Sequence, residues 1–461
     1  MLYFLDLLKQ FIGRNPARAL VLSFLLLILA GTTALTFPVA AKKEPVSWLT
    51  ALFTATSATC VTGLTVVNIA ETYSFFGQLV ILFLIQMGGL GIITFSTFFI
   101  SILAGNIGLH SRDIIQESFT QHPVANVLHL VYLIFGVTFI IEGVGAALLF
   151  FYYLHHKGLD LLTALYHAIF HSVSAFCNAG FSLYPDSLTQ FQGNWYYGLT
   201  VSTLIVLGGM GFVVFYDLLQ YLLSRYRGNP RKLSFHTRLV LTVTGILIAA
   251  GTVMFFAAEY SNALKDHPWP TKILISLFQS ITPRTAGFNT VDFATLTPVT
   301  LCFMLLFMFI GGSPGSTAGG IKTSTAAVMA ALFWSRVKNE STVNLRSRRV
   351  DESILSKSVS IFLFSSVVIG VFTLLLLASE LGGQSHQQTR GFFLDILFET
   401  VSAFCTVGLS TGITTQLNAT SQVYVIMLMF LGRLGPLTVA LAVARGRPKH
   451  FRYATERFLV G

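Results

Sequence analysis

The sequence predicts an all-α membrane protein: four helix–re-entrant helix–helix repeats around one central axis, with eight spanning helices and four that turn back. Three observations predict it. Of the 461 residues 54% are hydrophobic and only 10% charged, where a soluble domain carries about a quarter charged. The apolar residues gather in runs long enough to cross a bilayer. Two glycine motifs recur between those runs, four times each, at matched spacing. A chain of this length would make about three soluble domains, but its uncharged runs are too long to hide in soluble cores, so one membrane domain is expected.

The first run, 19–41, follows Lys9, Arg14 and Arg18 and ends at Ala40 and Ala41, as a secretory signal does. It exceeds the apolar core of a signal, about 7–15 residues. It therefore reads as the first membrane helix, with Met1 to Arg14 as a short interfacial helix. A helix needs about 20 apolar residues to span the hydrocarbon core. Further spans are expected over 74–104, 127–154, 196–224, 238–260, 297–333, 354–380 and 421–445. Within each pair of spans lies a shorter apolar segment, near 47–59, 161–176, 270–282 and 391–404. These are too short to cross and each ends in a glycine-containing turn. Irregular backbone at membrane depth is tolerated only where protein buries it or water bathes it, so four such turns predict one shared aqueous path.

The turns align by eye. Ser57-Ala58-Thr59-Cys60-Val61-Thr62-Gly63 matches Ser174-Ala175-Phe176-Cys177-Asn178-Ala179-Gly180 and Ser402-Ala403-Phe404-Cys405-Thr406-Val407-Gly408. The third turn reads Ile281-Thr282-Pro283-Arg284-Thr285-Ala286-Gly287. The glycines recur 117, 107 and 121 residues apart. A second motif begins at Gly88, Gly208, Gly311 and Gly432, lying 25, 28, 24 and 24 residues after the first. The repeats are expected at 1–106, 107–232, 233–345 (with a glycine-rich intramembrane loop at 311–320) and 346–461, the last ending in a basic tail.

The net charge of +10 is placed where a membrane protein needs it. Arg225, Arg227, Arg231, Lys232 and Arg238 form one cluster; Arg336, Lys338, Arg346, Arg348, Arg349 and Lys357 form another; Arg445, Arg447, Lys449, Arg452 and Arg457 close the chain. The positive-inside rule puts these loops and both termini in the cytoplasm, which argues against a nucleic-acid partner and for membrane lipid. Cys60, Cys177, Cys302 and Cys405 show neither a disulfide framework nor zinc spacing. Cys60, Cys177 and Cys405 are expected to pack as small apolar residues behind the turns.

A dehydrated cation needs oxygen ligands, and potassium filters supply them from rings of backbone carbonyls. Glycine permits the backbone conformations that aim carbonyls at an axis. Gly63, Gly180, Gly287 and Gly408 are therefore the expected filter residues of a potassium pore, with the carbonyls of Val61, Thr62, Asn178, Ala179, Thr285, Ala286, Thr406 and Val407 lining the rest. The competing explanation, close helix packing on small residues, suits a single glycine better than four equivalent ones.

The run Ile310-Gly311-Gly312-Ser313-Pro314-Gly315-Ser316-Thr317-Ala318-Gly319-Gly320-Ile321-Lys322-Thr323 resembles the signature of the TrkH/KtrB/HKT superfamily of potassium transporters. The four glycine turns resemble that family's filter loops, so the likeness covers essentially the whole chain. TrkH-type members carry two extra helices before the first repeat; here the repeat begins at once, as in the shorter KtrB branch. Some HKT members that favour sodium have serine at the first filter glycine, so Gly63 points to potassium.

The resemblance implies a potassium-uptake subunit of the cell membrane. It implies an intramembrane gate at Gly311, Gly312, Ser313, Pro314, Gly315, Ser316, Thr317, Ala318, Gly319 and Gly320, with Arg433 as a positive barrier beside it. It also implies a homodimer and a cytosolic, nucleotide-binding KtrA-type ring. No nucleotide fingerprint or soluble domain is present, so no cofactor is expected in this chain and any nucleotide belongs to the partner. Potassium is the expected substrate, and sodium a second candidate ion.

Arg433 stands where other units have Gly89, Gly209 and Gly312. A mid-membrane charge costs about 2.5–3.5 kcal/mol, so it is expected to face the pore or a carboxylate. Lys322 is expected to snorkel to the cytoplasmic interface. Arg284 is expected to pair with Asp395 or Glu399, and Glu142 is a further intramembrane candidate. Two other function classes were weighed. A sodium- or proton-coupled symporter would show inverted halves and intramembrane carboxylates, whereas these repeats are parallel. A membrane metalloenzyme would use His167 and His171, spaced as metal ligands can be, with His155 and His156 nearby. No glutamate follows His167, so no enzyme is expected.

Overall fold

The computed structural model describes residues 16–91, 127–229, 231–385 and 387–435. The interfacial helix expected over Met1–Arg14, the far ends of the spans expected over 74–104 and 421–445, and the basic tail lie outside these residues.

Four units follow in chain order. The first holds α1 (Pro16–Thr36), α2 (Trp48–Thr59) and α3 (Phe75–Gly89). The second holds α4 (Val127–Tyr152), α5 (Leu161–Phe176), α6 (Trp195–Met210) and α7 (Phe212–Tyr226). The third holds α8 (Phe235–Glu259), α9 (Trp269–Ile281), α10 (Pro298–Phe309) and α11 (Thr323–Val337). The fourth holds α12 (Glu352–Leu381), α13 (Phe392–Phe404) and α14 (Ala419–Leu434). A short antiparallel hairpin, β1 (Asn344–Leu345) with β2 (Arg348–Arg349), joins the last two units.

Polar caps set where the shorter helices begin. Ser47 accepts from Thr50 N at the start of α2, and Asp160 accepts from Thr163 N at the start of α5. Ser74, Asn194, Thr297 and Asn418 do the same for α3, α6, α10 and α14. Each oxygen satisfies one of the orphan N–H groups of a first turn.

Among the described residues three helices are long and apolar enough to cross a membrane, over Leu133–Lys157, Phe235–Glu259 and Glu352–Leu381, and a fourth span results if the bent pair Trp195–Met210 and Phe212–Tyr226 is taken as one. Their outer faces leave Ile140, Val253 and Leu374 about two-thirds exposed, at 68%, 68% and 67%, a surface that suits lipid rather than water. The buried core has two halves. Tyr73, Phe170 and Tyr197 belong to the half built by units one and two. Phe255, Phe398 and Met429 belong to the half built by units three and four, into which Phe53 of unit one reaches.

In units two and three the helix after the turn is interrupted. The spans expected over 196–224 and 297–333 are each two segments. α6 stops at Met210 and α7 leaves at 98° to it. The break sits at Gly211, whose φ is +89°, a value that L side chains rarely adopt. A Cβ there would also lie 2.6 Å from the Pro314 carbonyl oxygen. α3 ends likewise before Gly91 (φ +86°) and α14 before Gly435 (φ +81°). In unit three the run 310–322 separates α10 from α11.

Candidate functional site

The four turns close into a ring. A Cβ on Gly63 would lie 2.6 Å from Ala179 O, and one on Gly180 would lie 2.9 Å from Ala286 O. On Gly287 it would collide with the carbonyl of Val407, and on Gly408 with that of Thr62. Each unit's glycine thus faces the preceding residue's carbonyl in the next unit, and the fourth unit returns to the first. No side chain fits at any of the four positions.

The backbone explains how the carbonyls come together. The glycines have φ of +96°, +70°, +76° and +92° in chain order. Two residues earlier stand Val61, Asn178, Thr285 and Thr406 with φ of 54°, 58°, 68° and 50°. Left-handed backbone is costly for such residues, about 1–3 kcal/mol each. The residues between, Thr62, Ala179, Ala286 and Val407, are not left-handed. Alternating the handedness turns successive carbonyls toward one side of the strand. Among the described residues no protein donor reaches the carbonyls of Val61, Thr62, Gly63 or their counterparts in the other units.

The N–H groups are drawn the other way. Thr62 N, Ala179 N and Val407 N donate to the carbonyls of Ser57, Ser174 and Ser402 at 2.8 Å, and Ala286 N donates to Thr282 O at 2.9 Å. The hydroxyls of the same residues brace the strands. Gly63 N and Gly408 N donate to Ser57 Oγ and Ser402 Oγ at 3.1 Å. Ser174 Oγ donates to Phe181 O at 2.8 Å and Thr282 Oγ1 to Phe288 O at 2.5 Å. These braces position the ring and are not among the residues the sequence singles out. Their signal was the serine at the head of three aligned turns. With its nitrogen turned inward, the Asn178 amide donates to the carbonyls of Ala175, Phe176 and Ile205 at 3.2 Å. Cys60, Cys177 and Cys405 are buried behind the ring as expected.

On one side of the ring lies a cavity of about 250 Å³, lined by all four glycines and by Asp186 and Asp292. On the other side lies the loop 311–320. Ser313 N donates to Gly209 O at 2.9 Å, Thr317 N to Gly208 O at 3.3 Å, and Phe212 N to Gly315 O at 3.0 Å. Thr317 Oγ1 donates to Phe176 O at 3.3 Å. Gly319 abuts the Thr406 hydroxyl, where a Cβ would collide. The loop is therefore docked on unit two and pressed against the base of strand four. The second glycine motif has a packing role too. Gly88, Gly208 and Gly432 lie against the carbonyls of Thr59, Phe176 and Phe404, the last residues of α2, α5 and α13.

Arg433 is buried and donates to Thr317 O of the loop and to Gly88 O of unit one. It meets two backbone carbonyls, one of them in the loop, and of the two expected surroundings, the pore or a carboxylate, no carboxylate is bonded to it. Lys322 does not snorkel either, since its Nζ donates to Ala318 O at 2.6 Å within its own loop. Arg284 donates to Thr244 Oγ1 at 3.3 Å, not to Asp395 or Glu399. Pro283 ends α9 six residues before Gly287, where the other units' helices end four before, and Arg284 leaves that shortened end toward α8.

Glu142 accepts from Gln86 Nε2 at 3.1 Å and from Cys177 Sγ at 3.6 Å, behind the second strand. The histidine pair has structural partners. His171 lies 2.8 Å from His167 O through Nδ1, and its Nε2 accepts from Leu183 N at 3.4 Å. His167 lies 3.2 Å from Tyr184 Oη. Among the described residues no group of His, Cys, Asp or Glu could hold a metal ion.

A family model described as "TrkH: Cation transport protein" matches residues 6–453. The chain is 37% identical over 99% of both lengths to the "Ktr system potassium uptake protein B" of Bacillus subtilis. It is 32% identical to the "Potassium/sodium uptake protein NtpJ" of Enterococcus hirae, over 97% of each. The crystal structure of the potassium transporter TrkH from Vibrio parahaemolyticus superposes with a TM-score of 0.69 at 20% identity, covering 92% of this chain and 84% of that one.

Proposed function

The chain belongs to the TrkH family of cation transport proteins, and from that premise we propose that it takes up potassium through the ring of Gly63, Gly180, Gly287 and Gly408. It is a multi-pass membrane ion transporter and not an enzyme. One observation supports the ring as the selectivity filter. Twelve residues, the glycines and the two before each, present backbone carbonyls that no donor among the described residues satisfies. Buried carbonyls are nearly always paired. A bare potassium ion, which needs oxygens in place of its water shell, supplies the missing partner.

The loop 311–320 and Arg433 act as the gate below this filter. The loop closes the path by lying against strand four. The guanidinium holds it there and adds a fixed positive charge beside the route of a cation. Opening requires the loop to leave its contacts with Gly208, Gly209 and Phe212 or Arg433 to release Thr317. Both termini and the arginine-rich loops face the cytoplasm, which is where the positive-inside rule puts them. A soluble partner subunit, a nucleotide-binding ring of the KtrA type, docks on those loops, and two copies of this chain share it. Sodium modulates the uptake or couples to it.

Purified protein reconstituted in liposomes tests the reading. Potassium uptake down a potassium gradient, little reduced by a sodium excess, is the expected outcome. Equal potassium and sodium fluxes would contradict the filter.

A further inference from the structure

In each re-entrant helix a polar side chain eight or nine residues before the ring glycine is bonded to the chain that follows that glycine. In unit one Tyr73 Oη donates to Thr54 Oγ1 at 3.1 Å. In unit two His171 Nε2 lies 3.3 Å from Ser182 Oγ and accepts from Leu183 N at 3.4 Å. In unit three Gln279 Nε2 donates to Thr290 Oγ1 at 3.1 Å. In unit four Thr414 Oγ1 donates to Glu399 Oε1 at 2.6 Å. The residue types share nothing, so no sequence motif marks the tie.

The fourth tie differs in chemistry. Glu399 is 1% exposed, and its Oε2 has no partner among the described residues. The ion pair of the described residues lies elsewhere, between Arg349 and Glu352. Thr414 also lies 2.9 Å from Ser410 Oγ, and Ser410 follows Gly408 by two residues. Ser410 and Thr414 both line the cavity above the ring. A hydrogen bond to a carboxylate is shorter and stronger than one between neutral groups. This one runs from the middle of α13 through Thr414 to the outer end of strand four.

We propose that Glu399 is a positioning residue for ion selection, holding Thr414 and Ser410 so that the outer end of strand four keeps the Gly408 carbonyl in register with its three counterparts. The proposal rests on the ring being the filter. Glu399 touches no ion; it acts through the bond to Thr414.

The test compares Glu399→Gln, Glu399→Leu, Thr414→Val and Gly408→Ser by potassium/sodium permeability ratio in liposomes. Glu399→Leu and Thr414→Val are expected to lower the ratio about fivefold or more, while Glu399→Gln, whose amide oxygen still accepts from Thr414, stays within about twofold. The Leu/Val double variant is expected to be no worse than either single, because one bond is lost in each. Thr414→Val is nearly isosteric and carries the test alone if the leucine variant is not recovered. Wild-type ratios in Thr414→Val and Glu399→Leu, with selectivity lost in Gly408→Ser, would overturn the tie and leave the filter standing. Equal losses in the Gln and Leu variants would overturn it as well, since charge and not the bond would be at work. Unchanged ratios in all four would overturn both readings.

Discussion

Serine at Gly63 perturbs the ring with little else changed. At φ +96° an L side chain costs about 1–3 kcal/mol of backbone strain. Its Cβ would also stand 2.6 Å from Ala179 O and 3.2 Å from Gly180 Cα. Restoring ordinary contact moves the Ala179 carbonyl by roughly 0.8 Å, and that oxygen is one of the proposed ligands. A tenfold preference between two ions is worth only about 1.4 kcal/mol. Strain and displacement are therefore as large as the discrimination they disturb. They are small beside the burial that holds α2 and α5 in place. Gly63→Ser is expected to fold, to conduct, and to lose about tenfold or more of its potassium preference over sodium. Reversal potentials under opposed potassium and sodium gradients read the ratio, and Tm in detergent monitors the fold. A folded serine variant with wild-type selectivity would refute the reasoning.

Three further outcomes follow from the same geometry. Arg433→Gln removes a charged clamp on Thr317 O and Gly88 O; with charge-assisted bonds worth about 1.5–3 kcal/mol each, potassium flux should rise about tenfold or more, read as initial uptake rate. Gly211→Ala strains a φ of +89° and pushes on Pro314 O, so the loop loses its dock and uptake should change while the potassium/sodium ratio does not. Glu259 accepts from Thr297 N at 2.9 Å, Thr297 Oγ1 at 2.8 Å and Asn262 Nδ2 at 2.7 Å. Glu259→Ala takes the carboxylate from these donors and leaves Thr297 N without its acceptor at the start of α10, and should lower stability by about 1–3 kcal/mol, seen as a lower Tm with selectivity unchanged.

The four units were legible in the sequence because two glycine motifs kept their spacing while the helices between them drifted. The ring glycines were legible for the same reason: close approach of four backbones tolerates no side chain, so the residue type is forced four times. The break at Gly211 was not. Gly211-Phe212-Val213-Val214 continues an apolar run, and what bends it is the bond from Phe212 N to Gly315 O, a contact more than a hundred residues away. The partners of Arg433, Lys322 and Arg284 are not legible in the sequence, because it shows the charges and not the carbonyls and hydroxyls that the fold leaves beside them. Arg433 and Lys322 found backbone carbonyls that loops and helix ends leave free, and Arg284 found a threonine hydroxyl. On the re-entrant helices Thr54, His171, Gln279 and Glu399 hold nearly the same place but share no residue type, which a motif search cannot register.

The central claim is that the carbonyls around Gly63, Gly180, Gly287 and Gly408 hold the ion. Anomalous diffraction from crystals grown in rubidium or thallium, both potassium surrogates, tests it most directly. The account predicts density on the axis enclosed by the carbonyls of Thr62, Ala179, Ala286 and Val407, and its disappearance when sodium replaces the surrogate. Surrogate density elsewhere in the protein with none inside this ring would contradict it.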